Sequence, residues 1–509
     1  MLSRFLRNVF LRDATRRQYE RLVSEAAFRQ YELATASEAA GKLQEAEASY
    51  LEAIALDPSS SVLHYNLGLL LHGVGDLRGA EECYQRALAL NPDDQIIQSS
   101  LLCIGDFSIE STREEILHRH IAWARKFADP KTLLVAPHKN IPDPQKRIRL
   151  GYVSADFRRH VTGRFIEPVL RFHDAARFEV YCYNNHAAED DMTGHLREIS
   201  MHWRDIHGLD DVRVAELIRA DGIDVLIDLS GHSSGNRLIA LAHKPAPVQI
   251  TWMGYLNTTG LMAMDYRLTD DVADPAGVDG YYRERLLRLS RPQWCYVPQA
   301  GPIAAPALPP SVRPQDAPVT FGSLTRFMKV SNVAVDLWIR ILRASPGSRL
   351  RIIDVPDHSR GTSFQRRFAE AGLAGRVDFH PTLRGDAYWQ VLETIDVALD
   401  SFPYTGATTT CDCLWMGLPV VTLSGKCGVS RSATSLLCAL DLPDLIASSP
   451  DEYVALACAL ASDRNRIATF RAELRDRMLN SAICDAPGFV RSLELKLGFG
   501  WQEWCKVHA

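Results

Sequence analysis

Residues 400–423 read DSFPYTGATTTCDCLWMGLPVVTL, and this segment carries the strongest structural signal in the chain. An apolar, strand-like run precedes it at 396–399, another ends it at 420–423, and the part from about Cys411 to Gly417 is amphipathic. This order predicts strand, loop, helix and strand, which is the repeating unit of a parallel α/β sheet.

Three consecutive threonines stand where this helix should begin. Gly406 permits a tight turn, and Thr408, Thr409 and Thr410 are of the residue type that caps helix N-termini. Their hydroxyls and the free backbone N–H groups of the first turn would converge at the positive end of the helix, which attracts anions and phosphate in particular. Simple capping of the helix by Thr408 is the alternative, and both interpretations fit this segment.

Length and composition indicate a large globular protein. A chain of 509 residues exceeds what one hydrophobic core serves, so we expect about three domains. With a net charge of -5 the chain has no general attraction for nucleic acid, and no apolar run approaches the length of a membrane span. The 11 cysteines form no CxxC pair, so we expect reduced thiols in a cytoplasmic protein.

The first 22 residues combine apolar positions with Arg4, Arg7 and Arg12. They lack the continuous apolar run of a signal peptide. As a basic amphipathic helix this segment would either contact a membrane surface or a partner, or lead into the helices that follow.

A repeat with a spacing of 34 residues relates 41–58 to 75–92. Gly41, Ala46, Tyr50, Ala53, Leu56 and Pro58 recur as Gly75, Ala80, Tyr84, Ala87, Leu90 and Pro92. This pattern resembles the tetratricopeptide repeat, a helix pair that buries its apolar face by stacking on neighbours. Because two units are fewer than a free array needs, we expect them to pack on flanking helices at 14–30 and 97–128. The repeats are either a spacer or a concave surface for a peptide or protein acceptor.

Two proline-rich breaks divide the rest of the chain, and strand and helix patterns alternate after each of them. The fold class is therefore helical repeats followed by two doubly wound, Rossmann-like α/β domains, with a ligand cleft between the carboxyl ends of their strands. We place the repeats at 1–128, a linker at 129–147, the first Rossmann-like domain at 148–300, a linker at 301–317, and the second domain with a closing helix at 318–509.

The first strand of the second domain ends in FGSLTRFMKVSN, residues 321–332. Arg326 and Lys329 follow this strand, and its loop should leave the same sheet edge as the threonine helix. A cation opposite a helix N-terminus is a credible clamp for a diphosphate without a metal ion. Asp412, one turn into the threonine helix, would accept sugar hydroxyls or complement the helix dipole.

Three histidines follow strands or precede them in the first domain. His160 lies in the loop after its first strand, where a histidine suits proton transfer near neutral pH. His202 and His232 come from other loops, without the close spacing of a zinc motif. We therefore predict no metal site, and each histidine has a structural role as its alternative.

Four segments, in this order behind the repeats, resemble the O-linked N-acetylglucosamine transferase and SPINDLY family. They are GYVSADFRRHVTGRF, KPAPVQITWMGYLNTTGLMAMDY, FGSLTRFMK and LDSFPYTGATTTCDCLWMGLPVVTL. The resemblance extends from about residue 35 to about residue 490. It implies a GT-B fold, a nucleotide-sugar donor, inverting transfer to Ser or Thr of proteins, and no metal or other cofactor.

The resemblance also assigns roles by position. His160 matches the family's active-site histidine, a proposed general base, and His202 matches a second histidine of the cleft. Lys329 matches the lysine that neutralises the diphosphate, and Asp412 matches the carboxylate that bonds the ribose. The expected donor site is completed by Arg326, Arg384, Tyr388, Thr408, Thr409 and Thr410.

The resemblance leaves the donor open. Four positions depart from the animal transferase: Arg326 stands for a glutamine, Ala407 for a histidine, Gly385 for a lysine and Tyr388 for a histidine. The GATTTCD segment is closer to SPINDLY proteins. UDP-GlcNAc is the first expectation, and GDP-fucose, which some SPINDLY proteins use, is the alternative. A catalytically inactive repeat adaptor and an asparagine N-glucosyltransferase are further alternatives.

Overall fold

The computed structural model describes residues 24–298, 313 and 316–508. The basic segment 1–22 and most of the linker predicted at 301–317 therefore lie outside the described residues. The first described part is helical: α1 Glu25–Ala39, α2 Leu43–Leu56, α3 Ser61–Gly73, α4 Leu77–Leu90, α5 Gln95–Gly105, α6 Arg113–Phe127 and the short α7 Asp129–Thr132.

The predicted repeat forms antiparallel helix pairs. Its small and aromatic positions, among them Ala46, Tyr50 and Tyr84, are fully buried between neighbouring helices. Gly41 and Gly75 occupy the turns within the two pairs with φ of +80° and +81°, a conformation that glycine adopts without steric cost. The helices α5 and α6 extend the stack beyond the second pair, as expected for an array too short to bury its own faces. Of the flanking helix expected at 14–30, residues 14–23 lie outside the described residues.

A parallel sheet of order β3-β2-β1-β4-β5-β6-β7 forms the first Rossmann-like domain. Its central strands β4 and β5 are buried along their whole length, which explains their apolar sequences, whereas the edge strands β3 and β7 are partly exposed. The elements are β1 Ile148–Ser154, α8 Val161–Phe172, β2 Phe178–Asn184, α9 Asp191–Ile199, β3 His202–Asp205, α10 Asp211–Ala220, β4 Val225–Asp228, α11 Leu238–Ala242, β5 Val248–Thr251, β6 Tyr266–Asp270 and β7 Arg285–Leu289.

A second parallel sheet, of order β10-β9-β8-β11-β12-β13, forms the other Rossmann-like domain. Its elements are β8 Thr320–Ser323, α12 Asn332–Ala344, β9 Arg349–Ile352, α13 Ser359–Glu370, β10 Val377–Phe379, α14 Asp386–Glu393, β11 Val397–Leu399, α15 Thr408–Trp415, β12 Val420–Leu423, α16 Ser432–Cys438, β13 Ile446–Ala447, α17 Pro450–Ser462 and α18 Arg464–Leu479. The strand order reverses between β8 and β11, the place where such sheets bind ligands. The predicted fold class is confirmed.

The last helix, α19 (Ala486–His508), packs on the first domain although the sequence assigns it to the second. The ring of Phe489 stacks on Trp252 of the first domain, and Trp501 Nε1 donates to Asp143 O at 3.0 Å in the linker before β1. The reason is that the apolar face of α19 covers β4, β5 and β7 of the first sheet. The helix thereby ties the two domains together.

The helical region contacts both domains. On the first domain, His120 Nε2 and Tyr255 Oη lie 2.7 Å apart. On the second, His358 Nε2 and Glu47 Oε2 lie 2.9 Å apart. The helical region therefore bridges the two domains through α2 and α6.

Candidate active site

The threonine helix α15 begins at Thr408, and its N-cap is Ala407, which makes no side-chain capping hydrogen bond. The expectation that a threonine caps this helix is wrong. Helical conformation already begins at Thr408, so the N-cap position belongs to Ala407, which has no hydroxyl group. The three threonines occupy the first turn instead. Their backbone N–H groups lie where an α-helix has no internal acceptors, so a ligand can accept from them.

Asp400 holds the loop before this helix. Its Oδ1 accepts from Gly406 N and its Oδ2 from Thr422 Oγ1, both at 2.8 Å. Burial raises the pKa of Asp400 to about 6, although these hydrogen bonds and Lys329 oppose the shift. A Cβ atom at Gly406 would lie 2.6 Å from Thr409 Oγ1, so the loop closes tightly on the threonines.

Lys329 lies against the same loop. It ends the 3-10 turn Phe327–Lys329, and its Nζ donates to Thr405 O at 3.4 Å and lies 4.0 Å from the centre of the Tyr404 ring. Burial lowers the pKa of Lys329 to about 8 against the attraction of Asp400, and the charge of Arg326 lowers it further. The sequence predicts that the loop after β8 and the loop before α15 leave the same sheet edge, and the contact between Lys329 and Thr405 shows that they lie together.

Arg326 pairs with a carboxylate of its own domain. Its Nε lies 3.1 Å from Asp354 Oδ2, and its side chain is 39% exposed. Its charge lowers the pKa of His160 as well as that of Lys329, so it acts on both sides of the cleft. Arg326 contributes to the positive field without a contact to the threonine helix in the described structure.

Asp412 is buried and bonded to its own chain. Its Oδ1 lies 2.9 Å from Arg164 Nη1 and accepts from Tyr296 Oη at 2.8 Å, while its Oδ2 accepts from Tyr388 Oη at 3.3 Å. Arg164 belongs to α8 of the first domain, so this ion pair bridges the cleft. Nε and Nη2 of Arg164 are buried without a hydrogen-bond partner among the described residues.

The two expected donor residues near α14 differ in their surroundings. Tyr388 is half-buried and joins the Asp412 cluster. Arg384 is exposed in the loop before α14, and the described part of the structure gives it no hydrogen bond or ion pair. The structure therefore brings Tyr388 to the site and leaves Arg384 at its edge.

His160 stands at the N-terminus of α8, on the first-domain side of the cleft. Its Nδ1 lies 3.4 Å from Asp156 Oδ2 and 3.3 Å from Thr162 N. Burial lowers the pKa of His160 below its ordinary value; Asp156 opposes this, and Arg158 and Arg326 reinforce it. The imidazole is thus neutral at neutral pH, the form that can accept a proton.

The structure does not join His202 to this site. His202 begins β3, three residues before the strand's carboxyl end, a separation of about 10 Å. Its Nε2 pairs with Glu179 Oε1 at 2.9 Å, and its ring stacks on Tyr181. The expectation of a second histidine in the cleft disagrees with this position on the edge strand.

His232 is a buried structural residue between the first domain and the helices. Its Nδ1 bonds Ser99 Oγ at 3.1 Å and its Nε2 bonds Thr259 O at 2.8 Å. Within residues 24–298, 313 and 316–508, no group of three or more His, Cys, Asp and Glu side chains could hold a metal ion. No helix in this described part is long and apolar enough to cross a membrane.

Sequence reasoning missed Asp156, Arg164 and Tyr404. Arg164 follows the N-cap residue His160 by four positions, so helical spacing was the available signal for it. Asp156 lies in the loop before this helix, and only its closeness to His160 in the sequence pointed to it. Tyr404 carried no signal, because its contact with Lys329 depends on the folding of two distant loops.

The two facing parallel sheets, with a ligand cleft between them and tetratricopeptide helices in front, form a GT-B fold. The model of glycosyl transferase family 41 matches residues 111–295 and 311–493, and tetratricopeptide models match 61–94 and 39–75. The chain belongs to glycosyl transferase family 41.

The chain is similar to several curated members of this family. The chain is 36% identical, over 80% of its length and 45% of the relative's, to the probable UDP-N-acetylglucosamine–peptide N-acetylglucosaminyltransferase SPINDLY of Arabidopsis thaliana. It is 29% identical, over 71% of its length and 38% of the relative's, to the probable transferase SEC of the same plant. The chain thus spans less than half the length of these curated relatives.

One solved structure agrees along the whole chain. A mutant of the Thermobaculum terrenum O-GlcNAc transferase is 35% identical, with a TM-score of 0.90, and the match covers 100% of this chain and 96% of that one. The similarity to the O-GlcNAc transferase and SPINDLY family, inferred from the sequence segments, is confirmed.

Proposed function

We propose that this chain is an inverting, metal-independent glycosyltransferase that moves a sugar from a nucleotide donor to Ser or Thr of proteins. The observation that carries the proposal is the meeting of Lys329 with the loop of the threonine helix. A half-buried cation beside an open helix N-terminus suits a diphosphate leaving group. Family membership and the names of the relatives support the same activity.

The proposed reaction is one in-line displacement. The acceptor hydroxyl oxygen forms a bond to the anomeric carbon while the bond from that carbon to the diphosphate oxygen breaks. The hydroxyl proton passes to His160, and the electron pair of the broken bond stays on the diphosphate. Lys329 and the N–H groups of Thr408 and Thr409 stabilise the charge that develops there, which is where a fixed positive field lowers the barrier.

We propose UDP-GlcNAc as the donor, because the SPINDLY and SEC relatives are named for UDP-N-acetylglucosamine. GDP-fucose, which the resemblance to SPINDLY proteins offered as the alternative, is the second candidate, because identity to the SPINDLY protein is 36% against 29% for SEC. The acceptor is a protein or peptide that the repeats help to bind, and the free cysteines support a cytoplasmic location.

Purified protein incubated separately with UDP-GlcNAc, UDP-glucose and GDP-fucose tests this function. We expect release of nucleoside diphosphate with one donor, and mass spectrometry of an acceptor peptide should locate the sugar on a side-chain oxygen. Sugar on an asparagine nitrogen would favour an N-glucosyltransferase. Calorimetry without binding of UDP or GDP would favour an inactive adaptor.

A further inference from the structure

We propose that the helical repeats are part of the donor site, because Gly75 and Phe107 hold Lys329 in position. Both act through other residues, so they are positioning residues rather than catalytic ones. The inference rests on the proposed function for the role of Lys329. It gives the helical region a second role, in positioning Lys329, beside the proposed role of the repeats in binding the acceptor.

The first contact is between the repeat turn at Gly75 and the 3-10 turn that ends in Lys329. A Cβ atom on Gly75 would lie 3.1 Å from Met328 Cα and 3.4 Å from Phe327 O. These are backbone atoms, so no flexible side chain separates the two turns. The repeat turn therefore sets the position of the backbone from which the Lys329 side chain extends.

The second contact is a line of rings that ends at the ammonium group. Phe107 follows α5 and stacks on Tyr404, with ring centres 5.0 Å apart and an angle of 26° between the planes. The Lys329 Nζ lies 4.0 Å from the centre of the same tyrosine ring. Behind Phe107, the ring of His72 packs edge-on at 5.6 Å. A side chain of the helical region thus supports the ring that holds the cation.

Between the two contacts the packing is incomplete. A cavity of about 280 Å³ lies between the helical region, at Gly75–Arg78 and Phe107–Glu110, and the segment Met328–Val333. Gly75 and Phe107 both line this cavity, so the contacts of the helical region with the Lys329 turn lie at its edges rather than across it. Misplacement of a reacting or charge-stabilising group by about 1 Å can cost roughly a hundredfold in rate.

The chain contains a matched control for Gly75. Gly41 occupies the equivalent place in the preceding repeat and has φ of +80°, against +81° at Gly75. A Cβ atom on Gly41 meets nothing within 4 Å. Alanine should therefore strain both turns alike, whereas only Gly75→Ala pushes on the turn of Lys329.

Substitutions at Phe107 separate the ring contact from plain packing. Phe107→Tyr keeps the aromatic stack on Tyr404, while Phe107→Leu keeps an apolar side chain and removes the stack. Asp400 and Arg326, the charged groups that act on Lys329, stay in place in all four variants. Thermal unfolding of each variant would show that it is folded.

Two measurements test the proposal. With the donor that the wild-type protein uses, we expect Gly75→Ala and Phe107→Leu to lower kcat by about tenfold with a smaller change in donor KM, and Gly41→Ala and Phe107→Tyr to stay within about twofold. Burial is the largest cause of the lowered pKa of Lys329, so a Tyr404 ring that shifts and lets water reach the ammonium group should raise this pKa. Acetylation of Lys329 by acetic anhydride as a function of pH, read by mass spectrometry, should therefore give a higher pKa for Lys329 in Phe107→Leu than in the wild type.

Equal kcat in Gly75→Ala and Gly41→Ala, together with the same Lys329 pKa in Phe107→Leu and the wild type, would overturn the inference. The acetylation measurement needs no turnover. A wild-type protein without transferase activity would therefore reject the proposed function, while the Lys329 pKa values would still decide whether the helical region positions this lysine.

Discussion

Arg164 Nη1 of the first domain and Asp412 Oδ1 of the second domain form an ion pair of 2.9 Å across the cleft, and both side chains are more than nine-tenths buried. The carboxylate that family resemblance assigns to the donor ribose is thus held by the opposite domain in this structure. Tyr296 and Tyr388 complete its hydrogen bonds. The same group therefore joins the two domains and stands in the expected nucleotide site.

Replacing Arg164 by Ala should destabilise the protein, because Asp412 would remain as a buried charge without its cation. Breaking a buried pair in this way costs about 3 to 5 kcal/mol of unfolding free energy. Denaturant unfolding measures it. Arg29→Ala, which breaks the exposed pair with Glu25, is the control and should unfold like the wild type. Equal stability of the two variants would contradict a structural role for the Arg164 pair.

Lys329→Ala should lower kcat about a hundredfold or more, because the positive charge that stabilises the leaving diphosphate is lost. The pKa of Lys329 near 8 also predicts a pH effect. As pH rises through about 8 the ammonium loses its charge, so kcat/KM for the donor should fall. In Lys329→Arg this decline should disappear, since a guanidinium stays protonated. Steady-state rates of the wild type and both variants from pH 6 to 10 measure these effects. If kcat/KM still declines with rising pH in Lys329→Arg, another group causes the decline.

His160→Ala should slow the chemical step by about a hundredfold or more while nucleotide binding is kept, because it removes the proposed base. In the wild type, kcat/KM should fall as pH drops through the pKa of His160, which lies below the ordinary histidine value. His202→Ala is the matched comparison and should react at nearly the wild-type rate. Single-turnover rates with calorimetry of nucleotide binding measure this pair, and the reverse order of effects would make His202 the base.

Gly406→Ala should weaken nucleotide binding. A Cβ atom there would lie 2.6 Å from Thr409 Oγ1 and 2.9 Å from Thr410 Oγ1, so the hydroxyls must turn away or the loop must shift. Gly194→Ala is the control, because a Cβ atom at that helical position meets nothing within 4 Å. Calorimetry with UDP and GDP compares the affinities of the two variants, and unchanged affinity in Gly406→Ala would exclude the first turn of α15 from the proposed nucleotide site.

Local pattern predicted much of the architecture. Strand 420–423 and the helix from the threonines to Trp415 follow from apolar periodicity, and the repeat glycines follow from a spacing of 34 residues. The position of the N-cap did not follow, because Thr408 and Ala407 differ by one residue in a loop whose path depends on Asp400 and Thr422. His202 was placed in the cleft by resemblance, although its partners Glu179 and Tyr181 hold it on the edge strand.

By itself, the amino-acid sequence determined the repeats, the two α/β domains and the placement of Lys329 beside the loop that leads into α15, because adjacent parallel strands bring their carboxyl-end loops together. Only the tertiary structure decided that Arg164 pairs with Asp412 and that Phe107 supports Tyr404. These contacts join residues of different domains, and their distances depend on how whole domains pack rather than on any local pattern of residues.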